Sequence, residues 1–162
     1  MDLTHDREFW NDYASKADGF MFDAGSHSVE YNGLAVLEEI GELAGKFAKA
    51  VRGDAPLAEW DVLQEVGDII FNVSVRNARK GFKPFTSLDV NPVNGSIASV
   101  LRDLSNRCEE GGARWNVEPP LKFVLEGWGP SGATLESAAT ANLYKLESRK
   151  RRGVIKGNGD HR

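Results

Sequence analysis

The stretch that decides the fold is Leu-Glu-Glu-Ile-Gly-Glu-Leu at residues 37–43, because it recurs as Leu-Gln-Glu-Val-Gly-Asp-Ile at residues 63–69. Each copy lies in a run of apolar side chains at helical spacing, which predicts two amphipathic helices. A glycine inside a helix costs about 1 kcal/mol relative to alanine, yet Gly41 and Gly67 occupy the same place in both copies. We expect this pair of glycines to let the two helix backbones approach closely.

Capping and turn residues around the two copies place the ends of these helices. The first helix is predicted to begin at Ser28 and to end at Gly53. The second is predicted to start with Asp54 and Pro56 and to stop at residues 79–81. Since only a few residues connect them, the two helices should pack antiparallel.

The remaining segments predict further helices and no extensive sheet. Residues 113–132 contain several glycines and prolines, and we expect a loop there with a short strand or a short helix. Other helices are predicted over about residues 96–110 and 134–152, after a short helix within residues 1–27. The fold class predicted for the chain is therefore all-α, a helical bundle.

Composition narrows the class of protein. The chain has 162 residues, which predicts a single domain over residues 1–162. The net charge of −4 offers no general reason to expect nucleic-acid binding, and the single cysteine, Cys108, fits a reducing compartment. The N-terminus lacks an apolar signal core and no apolar run is long enough for a membrane span, so we expect a cytoplasmic protein without a membrane partner.

Each copy of the repeated stretch carries two carboxylates one helical turn apart. Glu39 and Glu42 lie about 60° apart on the first helix, as do Glu65 and Asp68 on the second. Both pairs stand roughly 140–160° from the apolar stripe, which on the first helix is centred on Leu37. By periodicity alone the carboxylates belong to the polar face, where they would form a solvated surface.

The duplication favours a second interpretation, in which the two antiparallel helices bring all four carboxylates together. Like charges about 4 Å apart repel by about 4 kcal/mol per pair at an effective dielectric constant near 20, so such a cluster requires a cation. Oxygen ligands without histidine or cysteine favour Mg²⁺ or Mn²⁺ over zinc. The chemistry that follows is metal-assisted hydrolysis of a phosphate ester or anhydride.

The last predicted helix offers groups that bind phosphate. Asn142, Lys145 and Arg149 fall within one sector of about 60°, and Asn142 lies inside the apolar stripe of that helix. An amide flanked by two cations is a candidate phosphate site. The alternative is that Lys145 and Arg149 simply reach solvent.

The order Glu39-x-x-Glu42 followed by Glu65-x-x-Asp68 resembles the motif of the MazG-like, all-α nucleoside triphosphate pyrophosphohydrolases. In that family the four acidic residues hold Mg²⁺, and water attacks the α-phosphorus of a nucleotide to release the monophosphate and pyrophosphate. The resemblance implies a four-helix core and a (d)NTP pyrophosphohydrolase with these four residues as catalytic metal ligands. Mn²⁺ is expected to substitute for Mg²⁺.

The closing run from Asn142 to Arg149, followed by Arg152, is similar to the phosphate-facing helix of the same family. The resemblance implies that Asn142, Lys145, Arg149 and Arg152 bind the triphosphate. Helices of this family commonly complete the bundle across subunits. A homo-oligomer, either a dimer or a tetramer, is therefore expected.

Three features depart from the repeat or from the family pattern. Residues 82–133 separate the acidic helices from the closing helix and look like an insertion. Glu38 has Gln64 as its counterpart in the second copy; it is a candidate catalytic base, with a second-metal ligand or an exposed residue as alternatives. Residues 153–162 are predicted to be a flexible tail because they are polar and rich in glycine.

A rival function comes from the basic run between Lys145 and Arg152. In that interpretation the chain is a non-catalytic helical module that binds nucleic acid or a protein through its C-terminal helix. The leading prediction expects a nucleotide substrate and no nucleic acid.

Overall fold

The structure is a computed structural model that describes residues 3–21, 29–86, 93–109 and 113–154. The described residues contain no strand, and none of their helices has the length and apolar character to cross a membrane. The predicted all-α fold class is confirmed. The helices are α1 (Leu3–Asp18), α2 (Val29–Arg52), α3 (Glu59–Arg79), α4 (Ile97–Asn106), α5 (Glu118–Trp128) and α6 (Leu135–Arg151).

Helix α3 lies at the centre of the bundle, where it packs against α1, α2, α5 and α6. Its apolar side chains are buried on more than one face: Val66 and Val75 are both fully buried, although they lie on opposite sides of the helix axis. A helix that is apolar on several faces is stable only when neighbours surround it. Helices α2 and α6 therefore meet α3 on different sides.

Glycine ends both acidic helices as predicted, while the start of α3 differs from the prediction. Gly53 follows α2 with φ 80° and Gly81 follows α3 with φ 77°, both in the left-handed region that favours glycine. Helix α3 begins at Glu59 rather than at Asp54: residues 54–58 are not helical, and the Asp54 carboxylate accepts a hydrogen bond from Arg52 Nε at 2.8 Å. The predicted N-cap of α2, Ser28, lies outside the described residues.

The buried face of α2 differs from the predicted stripe. Val36, Ile40 and Leu43 are buried, whereas Leu37 is 48% exposed. The buried face is thus rotated by about 90° from a stripe centred on Leu37. The helix carries two apolar arcs, and the packing of α3 selects one of them. As a result Glu39 lies at the edge of the buried face rather than opposite to it.

Residues 82–133 supply two helices and part of the core. Helix α4 was predicted, and Ser96 caps it by accepting a hydrogen bond from Ser99 N at 3.3 Å. Helix α5 is the short helix that was one of the two alternatives expected within residues 113–132; its two prolines stand in the first turn, where a missing N–H costs nothing. Fully buried side chains of this segment include Phe85, Leu104, Val117, Leu121 and Val124.

Two polar residues of α3 attach this segment to the bundle. The Asn77 amide donates to the carbonyl oxygens of Pro84 and Trp115 at 3.2 and 3.1 Å and accepts from Trp115 N at 3.0 Å. The buried Arg76 donates to Ala113 O at 2.7 Å, and its guanidinium lies 4.3 Å from the centre of the Trp115 ring. These contacts fix the chain between α4 and α5 against α3.

The two glycines of the repeat do not serve the purpose predicted for them. A Cβ atom on Gly67 would lie 2.6 Å from Ala138 O and 3.1 Å from Asn142 Cβ, whereas a Cβ atom on Gly41 would meet nothing within 4 Å. The expectation that both glycines bring α2 and α3 together is wrong. Gly67 instead permits the close approach of α6, whose first turn is capped by Thr134. Of the predicted tail, residues 155–162 lie outside the described residues.

Candidate metal centre

Three carboxylates from the repeated stretch meet between α2 and α3. One oxygen each from Glu39, Glu42 and Glu65 lies within 4.8 Å of the other two. Glu39 and Glu42 stand one turn apart on α2, and Glu65 faces them from α3. The packing of α2 on α3 thus brings together side chains that are distant in sequence.

Glu65 is the most deeply placed of the three carboxylates. It is 7% exposed, and its Oε2 atom is buried with no hydrogen-bond partner. Its Oε1 atom lies 3.3 Å from Lys46 Nζ. A buried carboxylate oxygen without a partner is costly, because it has lost its water and gained nothing in return. A cation in the three-carboxylate group would satisfy this oxygen.

The electrostatics of Glu39 point to the same conclusion. Burial, and then the negative charges of Asp68, Glu65 and Glu42, raise the pKa of Glu39 to about 8, and Lys145 offsets this only in part. Burial is also the largest cause of the raised pKa of Glu65. A divalent cation between these groups would favour their ionised forms.

Asp68 belongs to the same neighbourhood but faces α6. Its Oδ1 accepts a hydrogen bond from Asn142 Nδ2 at 2.5 Å, and both of its oxygens contact Lys145 Nζ. Asp68 is not among the three residues whose oxygens meet within 4.8 Å. We call these four residues, Glu39, Glu42, Glu65 and Asp68, the acidic centre. The structure brings two predicted phosphate ligands, Asn142 and Lys145, to this centre through their contacts with Asp68.

Two further residues at the centre were missed by sequence reasoning. Lys46 pairs with Glu65 and, at 3.4 Å, with Asp61, so it supplies a cation on the α2 side. Tyr13 reaches in from α1, and its hydroxyl donates to Asn142 Oδ1 at 3.4 Å. An asparagine in an apolar stripe signals that a buried partner is needed, but nothing local indicates which residue supplies it.

The remaining predicted site residues lie on the surface. Glu38 is exposed on α2 and is outside the three-carboxylate group. Arg149 and Arg152 are exposed at the end of α6, where Arg152 Nε donates to Ser148 O at 3.3 Å. The structure does not bring these three residues into the acidic centre.

The donors of the centre suit a hard divalent cation. All three converging ligands are carboxylates, with a fourth on Asp68 nearby, and the group contains neither histidine nor cysteine. Oxygen-only ligands of this kind favour Mg²⁺ or Mn²⁺. The residues present, with the unpartnered oxygen of Glu65 among them, fit such an ion.

Comparison of the chain with protein-family models, with curated proteins and with solved structures gives no match.

Proposed function

We propose that the protein is a Mg²⁺-dependent nucleoside triphosphate pyrophosphohydrolase, which cleaves a (d)NTP between the α- and β-phosphates to give the (d)NMP and pyrophosphate. The observation that carries the proposal is the group formed by Glu39, Glu42 and Glu65, with its buried, unpartnered oxygen. The order of the acidic motifs, which resembles that of the MazG-like pyrophosphohydrolases, supports the choice of reaction.

The proposal assigns the metal to Glu39, Glu42 and Glu65, with Asp68 as the fourth carboxylate. Bound Mg²⁺ would supply charge neutralisation for the phosphates and activation of water. The chain's part is to hold three carboxylates in place between α2 and α3, with the fourth, Asp68, beside them against α6. Glu38 as the catalytic base stays a prediction, and the proposal does not depend on it.

Phosphate binding is assigned to α6. Lys145 and Asn142 both contact Asp68, so their donors lie beside the acidic centre rather than in bulk solvent. An ammonium and an amide in this place would bind phosphate oxygens of a nucleotide held at the metal. Arg149 and Arg152, which are exposed further along α6, would reach the distal phosphates.

The finer parts of the proposal follow the same resemblance. Mn²⁺ would replace Mg²⁺, because both accept carboxylate oxygens. The protein would act in the cytoplasm as a homo-oligomer, a dimer or a tetramer. No nucleic acid is required by this function.

The direct test is to incubate the full chain with each (d)NTP and Mg²⁺ and to separate the products. We expect nucleoside monophosphate and pyrophosphate in equal amounts, and no turnover in the presence of a chelator. Release of orthophosphate, or the absence of turnover with every nucleotide, would contradict the assignment.

A matched pair of variants ties the activity to the centre. Glu65→Gln removes the charge of the buried ligand, and we expect kcat to fall by more than about 100-fold, beyond the loss seen for outer-shell partners of a metal. Glu126→Gln makes the same change on an exposed position of α5 and should leave kcat unchanged. Circular dichroism should show that both variants remain folded.

The rival proposal, a module that binds nucleic acid through α6, is favoured by the exposed basic side chains from Arg149 to Arg152. Binding to DNA that weakens steeply with salt, and that Glu39→Ala leaves undisturbed, would support this rival. The close contact of Lys145 with Asp68 counts against it, because this cation is already engaged within the chain.

A further inference from the structure

A chain of polar contacts joins three helices beside the acidic centre. The Tyr13 hydroxyl of α1 donates to Asn142 Oδ1 of α6 at 3.4 Å, and Asn142 Nδ2 donates to Asp68 Oδ1 of α3 at 2.5 Å. Both Tyr13 and Asn142 are buried, at 2% and 3% exposure. The chain therefore runs inside the bundle, where an unmet donor or acceptor is costly.

The chemistry of the three groups permits one arrangement. An ionised carboxylate only accepts hydrogen bonds, so Asp68 requires the NH₂ end of the Asn142 amide. The carbonyl end of the amide must then face Tyr13, and only a donor can satisfy it there. A tyrosine hydroxyl carries its proton at neutral pH and can donate it here. Burial, followed by the charge of Asp68, raises the pKa of this hydroxyl further.

The position of the Tyr13 hydroxyl is set by packing of its ring. The ring stacks on Phe9 with 6.4 Å between centroids and meets Trp10 edge-on at 5.8 Å. Replacement of the tyrosine by phenylalanine would keep these aromatic contacts and remove only the hydrogen-bond donor.

We propose that Tyr13 is a positioning residue of the centre: through its hydrogen bond it holds the Asn142 amide with Nδ2 toward Asp68, and this fixes the Asp68 carboxylate next to the three-carboxylate group. Tyr13 touches neither the metal nor the substrate in this role and acts through Asn142. The inference rests on the proposed function only for its kinetic readout.

A purely structural role for the hydroxyl predicts something different. If Tyr13 merely satisfies a buried acceptor, its loss has the same effect whatever residue stands at position 68. If it sets the direction of the amide, its effect depends on Asp68, because an asparagine there can offer either a donor or an acceptor to Asn142. Tyr13 and residue 68 are then coupled without direct contact, which a double-mutant cycle measures.

The experiment uses the full chain without ligand and four proteins: wild type, Tyr13→Phe, Asp68→Asn and the double variant. The readout is the exchange of the assigned Asn142 side-chain amide protons with water, followed by NMR. We expect Tyr13→Phe to accelerate this exchange about fivefold when Asp68 is present, as the loss of one neutral hydrogen bond would do. In the Asp68→Asn background the same change should accelerate exchange by a larger factor, about 25-fold, because no remaining group then fixes the direction of the amide.

Kinetics provide the second measurement. Tyr13→Phe should lower kcat/KM for the nucleotide by about fivefold. Tyr144→Phe, which removes a hydroxyl from an exposed side chain of α6, should leave kcat/KM unchanged. The inference would be overturned if Tyr13→Phe accelerated the exchange of the Asn142 amide equally with Asp68 and with asparagine at position 68. An unchanged kcat/KM for Tyr13→Phe would overturn it as well. If the wild type releases no pyrophosphate, the proposed function fails, and the exchange cycle still decides the role of Tyr13.

Discussion

At the scale of single residues, the centre is governed by the cost of holding negative charges together in a partly buried place. Glu39 shows this most clearly, since its pKa is raised to about 8 by burial and by the charges of Asp68, Glu65 and Glu42. Lys46 and Lys145 relieve part of the repulsion by pairing with Glu65 and Asp68. A divalent cation would relieve more of it, because it would carry two charges to the point where the carboxylates converge.

This charge arrangement predicts a stability that falls with pH. Between its ordinary pKa of 4.5 and about 8, Glu39 keeps its proton in the folded protein and loses it in the unfolded chain. In the metal-free protein the contribution of Glu39 to stability is therefore fully present below the lower value, is lost as pH rises through this window, and changes no further above it. Glu39→Gln should remove this component, on the order of 2 kcal/mol after allowance for solvent screening.

The measurement is the free energy of unfolding by denaturant from pH 5 to pH 9, with and without Mg²⁺. With saturating Mg²⁺, the wild type should no longer show the part of the pH dependence that Glu39 causes, since the ion favours the ionised carboxylate. Glu38→Gln, a change at the exposed neighbour, should retain the full dependence on pH. If the free energy of unfolding falls with pH equally in wild type and Glu39→Gln without metal, Glu39 is not the cause of this pH dependence.

At the scale of the elements, α3 organises the centre by presenting different residues to α2 and α6. Its Glu65 meets the two glutamates of α2, while Gly67 and Asp68 meet α6. The backbone of α6 lies so close to Gly67 that Ala138 O occupies the space of a side chain. The close approach of α3 and α6 thus requires a residue without a side chain at position 67.

The two glycines of the repeat should consequently respond in opposite ways to replacement by alanine. Gly67→Ala forces a methyl group against the Ala138 carbonyl, which belongs to helix backbone and cannot move alone. We expect a loss of about 1–3 kcal/mol in the free energy of unfolding, as in other overpacked cores. Gly41→Ala meets open space and should gain up to about 1 kcal/mol from helix propensity.

Denaturant unfolding of the two variants tests this contrast in stability. Measurement of kcat/KM for the same variants tests whether activity changes with it. Displacement of α6 by Gly67→Ala should weaken the contacts of Asn142 and Lys145 with Asp68, so activity should fall together with stability. A Gly67→Ala protein that is as stable as Gly41→Ala would show that the close approach of α3 and α6 is incorrect.

At the scale of the whole molecule, one core joins the acidic helices to the segment that looked like an insertion. Among the described residues, the buried apolar cluster has members from every helix from α1 to α6, including Leu104 of α4 and Val124 of α5. Asn77 and Arg76 of α3 add polar contacts to the backbone between α4 and α5. Residues 82–133 therefore help to hold α3, and with it Glu65 and Asp68, in place.

A substitution far from the centre tests this dependence. Leu104→Ala opens a cavity at a fully buried position and should lower the free energy of unfolding by about 2–5 kcal/mol. Leu34→Ala, at a position of α2 that is 63% exposed, should change it by less than about 0.5 kcal/mol. Similar small effects in both variants, measured by denaturant unfolding, would mean that α4 is peripheral to the core.

The sequence by itself determined the helical class, the positions of α2, α4 and α6 to within a few residues, and the spacing of the carboxylates. These follow from local physics, because helical periodicity, caps and glycine stops act within one or two turns. The same local reasoning placed the buried face of α2 at Leu37, since a helix with two apolar arcs does not by itself indicate which arc is covered. Local reasoning also did not decide between a short strand and a short helix within residues 113–132, where the structure has α5.

Only the tertiary structure decided which acidic residues meet and what the others contact. Glu65 joins Glu39 and Glu42, while Asp68, one turn further along α3, faces α6 instead. Tyr13 and Asn142 come together across most of the length of the chain. Such contacts depend on how whole helices pack and on a single close approach at Gly67, which no local pattern of residues encodes.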